Sequence, residues 1–562
     1  MRALPNLDPR GFFPKFAYHK HFQPLTGYYN DIRTLVPYGQ WRPENGYNLS
    51  DPSNEASLSA PTQPEAFNPY SQPTQQCYLD AAEKVPAPDP LFGSYSELGL
   101  RNDICFDRVG RLVPYGFGYA EKLGGLGIGR VSEKDSEFLT GPIDYRSVDW
   151  GGAQKSCRER NSPKHRQAFV LRAWTGFDWT PYRILATRAL INELSLRSGG
   201  EYDVHILLHV RDDGIPIWAD AGVYNATVQA NVPKEFWNMT TLWSERLMRT
   251  YYSNPFGENF APMAGSSVHG VYRSAHFALQ WFSQHHPEYD FVWNWEMDVR
   301  YSGHYYELAS RIGAWARQLP RKGMWERASR FYIPARHGDW ANFTLSVERE
   351  MVEEKQQPVW GPVDFAQGPP PLLNETQPLV PYDQDNYVWG VGEDADFVTF
   401  NPIFDPSKTN WVFREDVTGF DRHKPIPPRR ASIITISRLS RRLLNIMHRE
   451  VWDRRHTMFT EMFPATVCLH HGLKAVYVPH PVAFDRDWNL EHADAVFNHP
   501  TEPWASPFGW GEHNMFGGTH YYNSIFAGNL WRRWLGSEGD KQEKETGRMC
   551  LRSLLLHPIK KE

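Results

Sequence analysis

From Ala168 onward the chain alternates short apolar runs with helical stretches, and this alternation narrows the choice of fold more than any other feature. AFVLRAW (168–174), YDVHILLHV (202–210) and YDFVWNW (289–295) have the length and the β-branched and aromatic content of buried strands. PYRILATRALINELSL (181–196), VYRSAHFALQWFSQHH (271–286) and YYELASRIGAWARQ (305–318) place apolar residues at helical spacing, and RFYIP (330–334) predicts one more strand. The pattern predicts an α/β protein with a Rossmann-like mixed sheet flanked by helices. In such sheets ligands gather at the carboxyl ends of strands. Two acidic clusters are expected at such ends: Asp212-Asp213 after the 202–210 run, and Glu296-Met297-Asp298 after the 289–295 run.

The flanking regions differ in texture. Residues 1–160 are rich in Pro, Tyr, Asn, Ser and Gly and predict an arm wrapping the core, with 58–76 extended or disordered. GGLGIG (124–129) has Arg130 where a dinucleotide-binding fingerprint needs its last glycine, and it predicts a turn. Residues 161–500 predict the catalytic domain and 501–562 an extension packed on it. A net charge of −5 gives no sign of a general nucleic-acid or anionic-membrane binder. No stretch approaches 18 apolar residues, so no transmembrane segment is expected. The five cysteines form no C-x-x-C pair, which argues against a cysteine zinc site and leaves room for one or two disulfides. Sequons at Asn48, Asn225, Asn238, Asn342 and Asn374 permit a secretory location.

Chemistry concentrates in a few places. Two carboxylates at i and i+2 after a buried strand can both reach one divalent ion, or the ion and a ribose. A hard cation with oxygen ligands neutralises a diphosphate leaving group. A second acidic run, Glu393-Asp394-x-Asp396, follows a glycine-flanked turn (WGVGEDADFVTF, 389–400), a setting for sugar hydroxyl recognition or for a catalytic base. ASIITISRLSRRLLNIMHRE (431–450) carries a helical stripe of Leu439, Leu443 and Met447, with Arg438, Arg441 and Arg442 on its polar side. Those arginines could meet a diphosphate or form a solvated face. Aromatic content of 14%, with 22 Trp and 27 Tyr, suits carbohydrate handling because sugar C–H faces stack on flat rings.

The run HGVYRSAHFALQWFSQHHPEYDFVWNWEMDVRYSGHYYELASRIG resembles a stretch of the fungal α-1,2-mannosyltransferases, in which a similar helix precedes an E-P-D motif whose Glu contacts manganese. Met297 stands where that family has Pro. A closer resemblance, over about residues 165–560, is to a fungal family of unknown function often mislabelled as major facilitator transporters. HGVYRS, WNWEMD, GEDADF, LHHGLKAVYVPHPV and GRMC carry it. The transporter label conflicts with the absence of any spanning segment.

The resemblance implies a GT-A glycosyltransferase that moves a sugar from a UDP- or GDP-linked donor to a hydroxyl acceptor, in the Golgi or secretory lumen. It implies a manganese or other divalent ion on Glu296 with Asp298, and a late histidine as further ligand, for which His480 is expected ahead of Asp485, His470, His471 and His520. Asp394, Asp396 or Glu393 would lie near the reacting carbon. Arg172, Arg183, Asp212, Arg273 and Asp298 are the expected donor contacts. A glycoside hydrolase using paired carboxylates and a non-catalytic carbohydrate-binding protein are the rival readings.

Overall fold

The computed structural model describes residues 89–129, 144–500 apart from five isolated positions, 513–536 and 548–562, with two short strands at 36–37 and 75–78. Most of the proposed N-terminal arm, including nearly all of 58–76, lies outside the described residues, as do Asn48 and Asn374.

Seven strands form one mixed sheet: β1 (Gln167–Trp174), β2 (Tyr202–His209), β3 (Thr240–Trp243), β4 (Phe291–Glu296), β5 (Phe397–Thr399), β6 (Ile436–Ser440) and β7 (Ala475–Tyr477). The spatial order is β7-β5-β6-β4-β1-β2-β3. β1 to β4 run parallel to one another, β6 is antiparallel to both β4 and β5, and β7 is parallel to β5. Only β6 is therefore reversed. The chain builds β1, β2 and β3 outward in one direction, then crosses to place β4 on the other side of β1. That crossing is a topological switch point, where an open α/β sheet leaves a crevice beyond its carboxyl ends.

The period-2 alternation of the strands separates two cores. Phe169, Leu171, Trp293 and Trp295 face one, while Ala168, Val170 and Val292 face the other. The first core is closed by helix α1 (Tyr305–Gln318) and the second by α2 (Arg441–Arg454). Among the described residues no helix is long and apolar enough to cross a membrane.

Several segments depart from expectation. The 431–450 stretch is a strand followed by a helix: Ile436–Ser440 enters the sheet, and α2 starts at Arg441 with the Ser440 hydroxyl accepting from the Leu443 N–H. The β-branched run Ile433-Ile434-Thr435-Ile436 fits a pleated surface better than a helix. Arg438 is consequently buried, with its guanidinium 3.4 Å from the Phe291 ring centre. RFYIP is no strand: the Phe331 N–H donates to the Asn498 side chain, and Pro334, which has no N–H for a ladder, opens a short helix. The 271–286 segment is two helices, Val271–Ser274 and His276–His285. The 181–196 segment is α-helical to Leu190 and then a wider π turn, in which buried Glu193 takes Arg111 at 2.5 Å.

Residues 548–562 are tied closely to the body. Cys105 and Cys550 form a disulfide, Leu555–Leu556 pairs with Arg300–Tyr301 just after β4, and the Ile559 N–H donates to the Asp298 carbonyl at 2.8 Å. Cys157 and Cys468 are buried free thiols.

Candidate metal centre

β4 ends at Glu296, and Asp298 lies on the turn beyond it. Register places Glu296 beside Arg172 of β1, at the carboxyl ends of the two strands that flank the switch point. The Arg172 guanidinium donates to Glu296 at 2.5 Å. The segment returning from the Leu555–Leu556 strand brings in His557, which is 3% exposed and whose Nε2 lies 3.2 Å from Glu296 and 3.3 Å from Asp298. One ligand atom from each of Glu296, Asp298 and His557 falls within 4.8 Å of the others. Among the described residues this is the one group of three such side chains that could hold a metal ion.

The donor set fits a divalent cation. Two carboxylate oxygens and one imidazole nitrogen suit manganese or a similar ion. The His557 Nδ1–H donates to the Tyr521 carbonyl at 3.0 Å, which turns Nε2 towards the carboxylates. Outer hydrogen bonds of this kind orient metal-binding imidazoles. The charge balance agrees. Burial disfavours a charged His557, but Asp298 and then Glu296 outweigh it and push its pKa up to about 9. Burial likewise works against a charged Asp298, yet His557 and Lys560 hold its carboxyl well below the usual range. Lys560 pairs with the outer oxygen of Asp298. A proton on His557 and two basic side chains thus counter the acidic pair in the position a cation would take.

This centre opens into a cavity of about 660 Å³ lined by Arg172, Trp174, Arg183, Arg211, Glu296 and Asp298 among others. Part of its lining is aromatic: His209 stacks on Trp243 with centres 4.4 Å apart, and the half-exposed Trp174 meets Phe177 edge-on at 4.9 Å. The Arg211 guanidinium sits 5.2 Å from the Trp174 ring centre. A volume of this size with a few convergent charges is typical of a small-molecule site.

The structure brings together Glu296, Asp298, Arg172 and Arg183 from the expected set. It leaves the others elsewhere. Asp212 is exposed and accepts from the Gly214 N–H, so it holds a turn. Arg273 is 1% exposed, ion-paired to Asp416 at 3.1 Å and bonded to Thr418, Thr457 and the Met458 carbonyl. It ties the Val271–Ser274 helix to the two-stranded ladder of Val417–Thr418 and Thr457–Met458 and has no surface left for a ligand.

His480 does not join the acidic pair. It is buried, with Nε2 3.0 Å from the Phe400 carbonyl and its ring packed edge-on against His520 at 4.8 Å. Burial pushes its pKa down to about 4. The acidic turn also lies apart. Asp396 immediately precedes β5, which runs parallel to β4, and its carbonyl accepts from the N–H of Ser440, the residue level with Phe291 at the start of β4. The Glu393–Asp396 turn is therefore at the opposite end of the sheet from Glu296, five strand residues or roughly 17 Å away.

Sequence reasoning missed His557, Lys560 and Arg211. A signal for His557 existed: LLLHPI repeats the pattern of VYVPHPV, an apolar run ending in His-Pro. The nearest difference, Pro479 before His480 where Leu556 precedes His557, says nothing about which imidazole meets carboxylates.

Fold and site together define an α/β protein whose mixed sheet presents a candidate metal-binding triad at its switch point. The chain matches, over residues 105–166 and 162–561, the family described as protein of unknown function (DUF3405), and it belongs to that family. No curated protein and no solved structure matches the chain.

Proposed function

We propose that this protein is a metal-dependent glycosyltransferase of the GT-A type, transferring a sugar from a nucleotide-diphosphate donor to a hydroxyl acceptor. The observation that carries the reading is the meeting of Glu296, Asp298 and His557, with the two carboxylates lining a basic and aromatic cavity. In this reading Glu296, Asp298 and His557 hold the divalent cation, which supplies Lewis-acid stabilisation to the departing diphosphate. Arg172, Arg183, Arg211 and Lys560 surround the same cavity and neutralise phosphate oxygens. Arg172 and Lys560, paired with the carboxylates here, would turn to the phosphates when a cation takes their place. The aromatic lining of Trp174, Phe177 and Trp243 suits a flat nucleobase.

Calorimetric titration of UDP and GDP, with manganese and then with EDTA, tests the proposal. Binding of one nucleotide that requires manganese and disappears in Glu296→Ala supports it. Binding of neither under any condition removes the transferase reading. Cleavage of glycosides in the presence of chelator would favour a hydrolase instead.

A further inference from the structure

A second cavity, of about 460 Å³, adjoins the first and shares Arg172, Val271, Ala275 and Glu296 with it. Ligands seated in the two would meet at Glu296. The floor of the second cavity contains a residue that core packing does not explain. Asn294 is 2% exposed and stands two positions before Glu296 on β4, hence on the same face and about 7 Å further down the strand. On that face Val292, one step deeper, is ordinary apolar core. Asn294 lines the cavity, and its side-chain carbonyl has no hydrogen-bond partner among the described residues. A buried amide left so is uncommon and asks for a partner.

The walls supply the rest of the recognition surface. Tyr272 is 60% exposed, and its ring is braced edge-on by Phe413 at 5.7 Å and Phe459 at 5.6 Å. Those two stack on each other at 4.0 Å. Ser437, level with Asn294 on the neighbouring strand β6, and Glu461 add polar groups to the same lining. A braced flat ring beside an unpaired amide oxygen and a hydroxyl matches a polyhydroxylated ring, which has apolar C–H faces and hydroxyl edges. A flat aromatic acceptor would stack but leave Asn294 unpaired.

We propose that this second cavity is the acceptor site and that it takes the terminal sugar of a carbohydrate acceptor, with Asn294 bonding a ring hydroxyl and Tyr272 stacking on the ring. The proposal rests on the transferase reading above. In the reaction the acceptor hydroxyl oxygen bonds to the donor's anomeric carbon. The bond from that carbon to the diphosphate oxygen breaks with its electron pair on the diphosphate, and the hydroxyl proton leaves to the departing diphosphate. Glu296, on the wall between the cavities, marks where donor and acceptor come together.

The test uses the full chain and saturation-transfer NMR with methyl glycosides of mannose, glucose, galactose and N-acetylglucosamine, and with 4-nitrophenol, in the presence of magnesium and nucleotide. At least one glycoside is expected to bind, about tenfold more weakly in Tyr272→Ala and in Asn294→Leu. Manganese-dependent nucleotide affinity in both variants is expected to stay within about twofold of the unaltered protein. Asn294→Leu replaces a buried amide by an apolar side chain of similar size, so its fold is expected to hold. Glycoside binding unchanged in both variants, binding of 4-nitrophenol alone, or equal loss of nucleotide affinity would each overturn the acceptor assignment while leaving the donor site standing. Glycoside binding with no metal-dependent nucleotide binding would instead sink the transferase reading and keep a sugar site.

Discussion

Two acidic clusters occupy opposite ends of one sheet, and they differ in what surrounds them. Glu296 and Asp298 end at a cavity, share one imidazole, and keep part of their surface open. At the other end, Asp396 is 2% exposed and locked: Arg442 reaches it at 2.7 Å and the Ser440 hydroxyl donates to it at 2.6 Å. Glu393 is held by Arg321 at 2.7 Å and by Arg442 at 3.0 Å. Burial works against a charged Glu393, yet Arg321 and Arg442 still bring its pKa below the ordinary value. Lys474 then donates to the carbonyls of Gly390 and Glu393 at 2.8 Å each. The first cluster brings two carboxylates and an imidazole to one point, a set of ligand atoms that suits a cation. The second also lines a cavity, of about 560 Å³, but its carboxylates meet Arg317, Arg321 and Arg442, and it secures the junction of β5, β6 and α2.

The comparison breaks most readily at the open end. Glu296→Gln combined with Asp298→Asn is expected to abolish manganese-dependent nucleotide binding, at least about 1,000-fold or 4 kcal/mol by calorimetry. Glu393→Gln combined with Asp394→Asn should leave that affinity unchanged. Equal loss from both pairs would erase the distinction between the two ends of the sheet. At the locked end, Asp396→Ala removes a buried partner from Arg442, which is 32% exposed and so partly relieved by solvent. A loss of about 2–3 kcal/mol in urea unfolding is expected, less than for a fully buried pair, with nucleotide affinity retained by whatever folds.

The histidines sharpen the contrast. His557→Ala should weaken manganese-dependent binding by at least the roughly 10–100-fold that losing an outer hydrogen-bond partner of a ligand costs, whereas His480→Ala should leave it within error and show its effect in thermal stability alone. The reverse result would return the third ligand to His480. The smallest effect concerns pH. Burial pushes the Lys474 pKa down to about 8, although Glu393 opposes this. Between pH 8 and its ordinary value near 10.5 the unfolded chain holds a proton that the folded protein has lost, so this group makes stability rise with pH across that window and adds no slope below it. Lys474→Met should flatten the rise by about 2 kcal/mol between pH 8 and 10, read as the difference in urea midpoints from the unaltered protein.

Much of the sheet was legible in the sequence. The 168–174, 202–210 and 289–295 runs form β1, β2 and β4 nearly as read, because long runs of β-branched and aromatic residues have few other buried solutions. β6 was hidden inside a stretch with helical spacing, since Leu439, Leu443 and Met447 keep an i, i+4 period across a strand–helix junction. The acidic turns held a usable clue: Glu296 follows its strand and Asp396 precedes its own. In parallel strands that difference sends the two to opposite ends. The parallel pairing of β4 with β1, and the direction of β5, were needed before the clue could be applied.

The sequence by itself determined the α/β class and placed Glu296 and Asp298 on a turn after a buried strand, because both follow from local periodicity and chain direction. The tertiary structure alone decided which histidine meets them and which basic groups share their cavity. Lys560 and Asp298 are 262 residues apart, and no local pattern encodes so distant a contact. It depends on the Cys105–Cys550 disulfide and the Leu555–Leu556 pairing, which bring residues 548–562 past Arg300–Tyr301 to Asp298. His480 and His557 sit in the same local text, and only the path of the backbone separates a packed core histidine from one that faces two carboxylates.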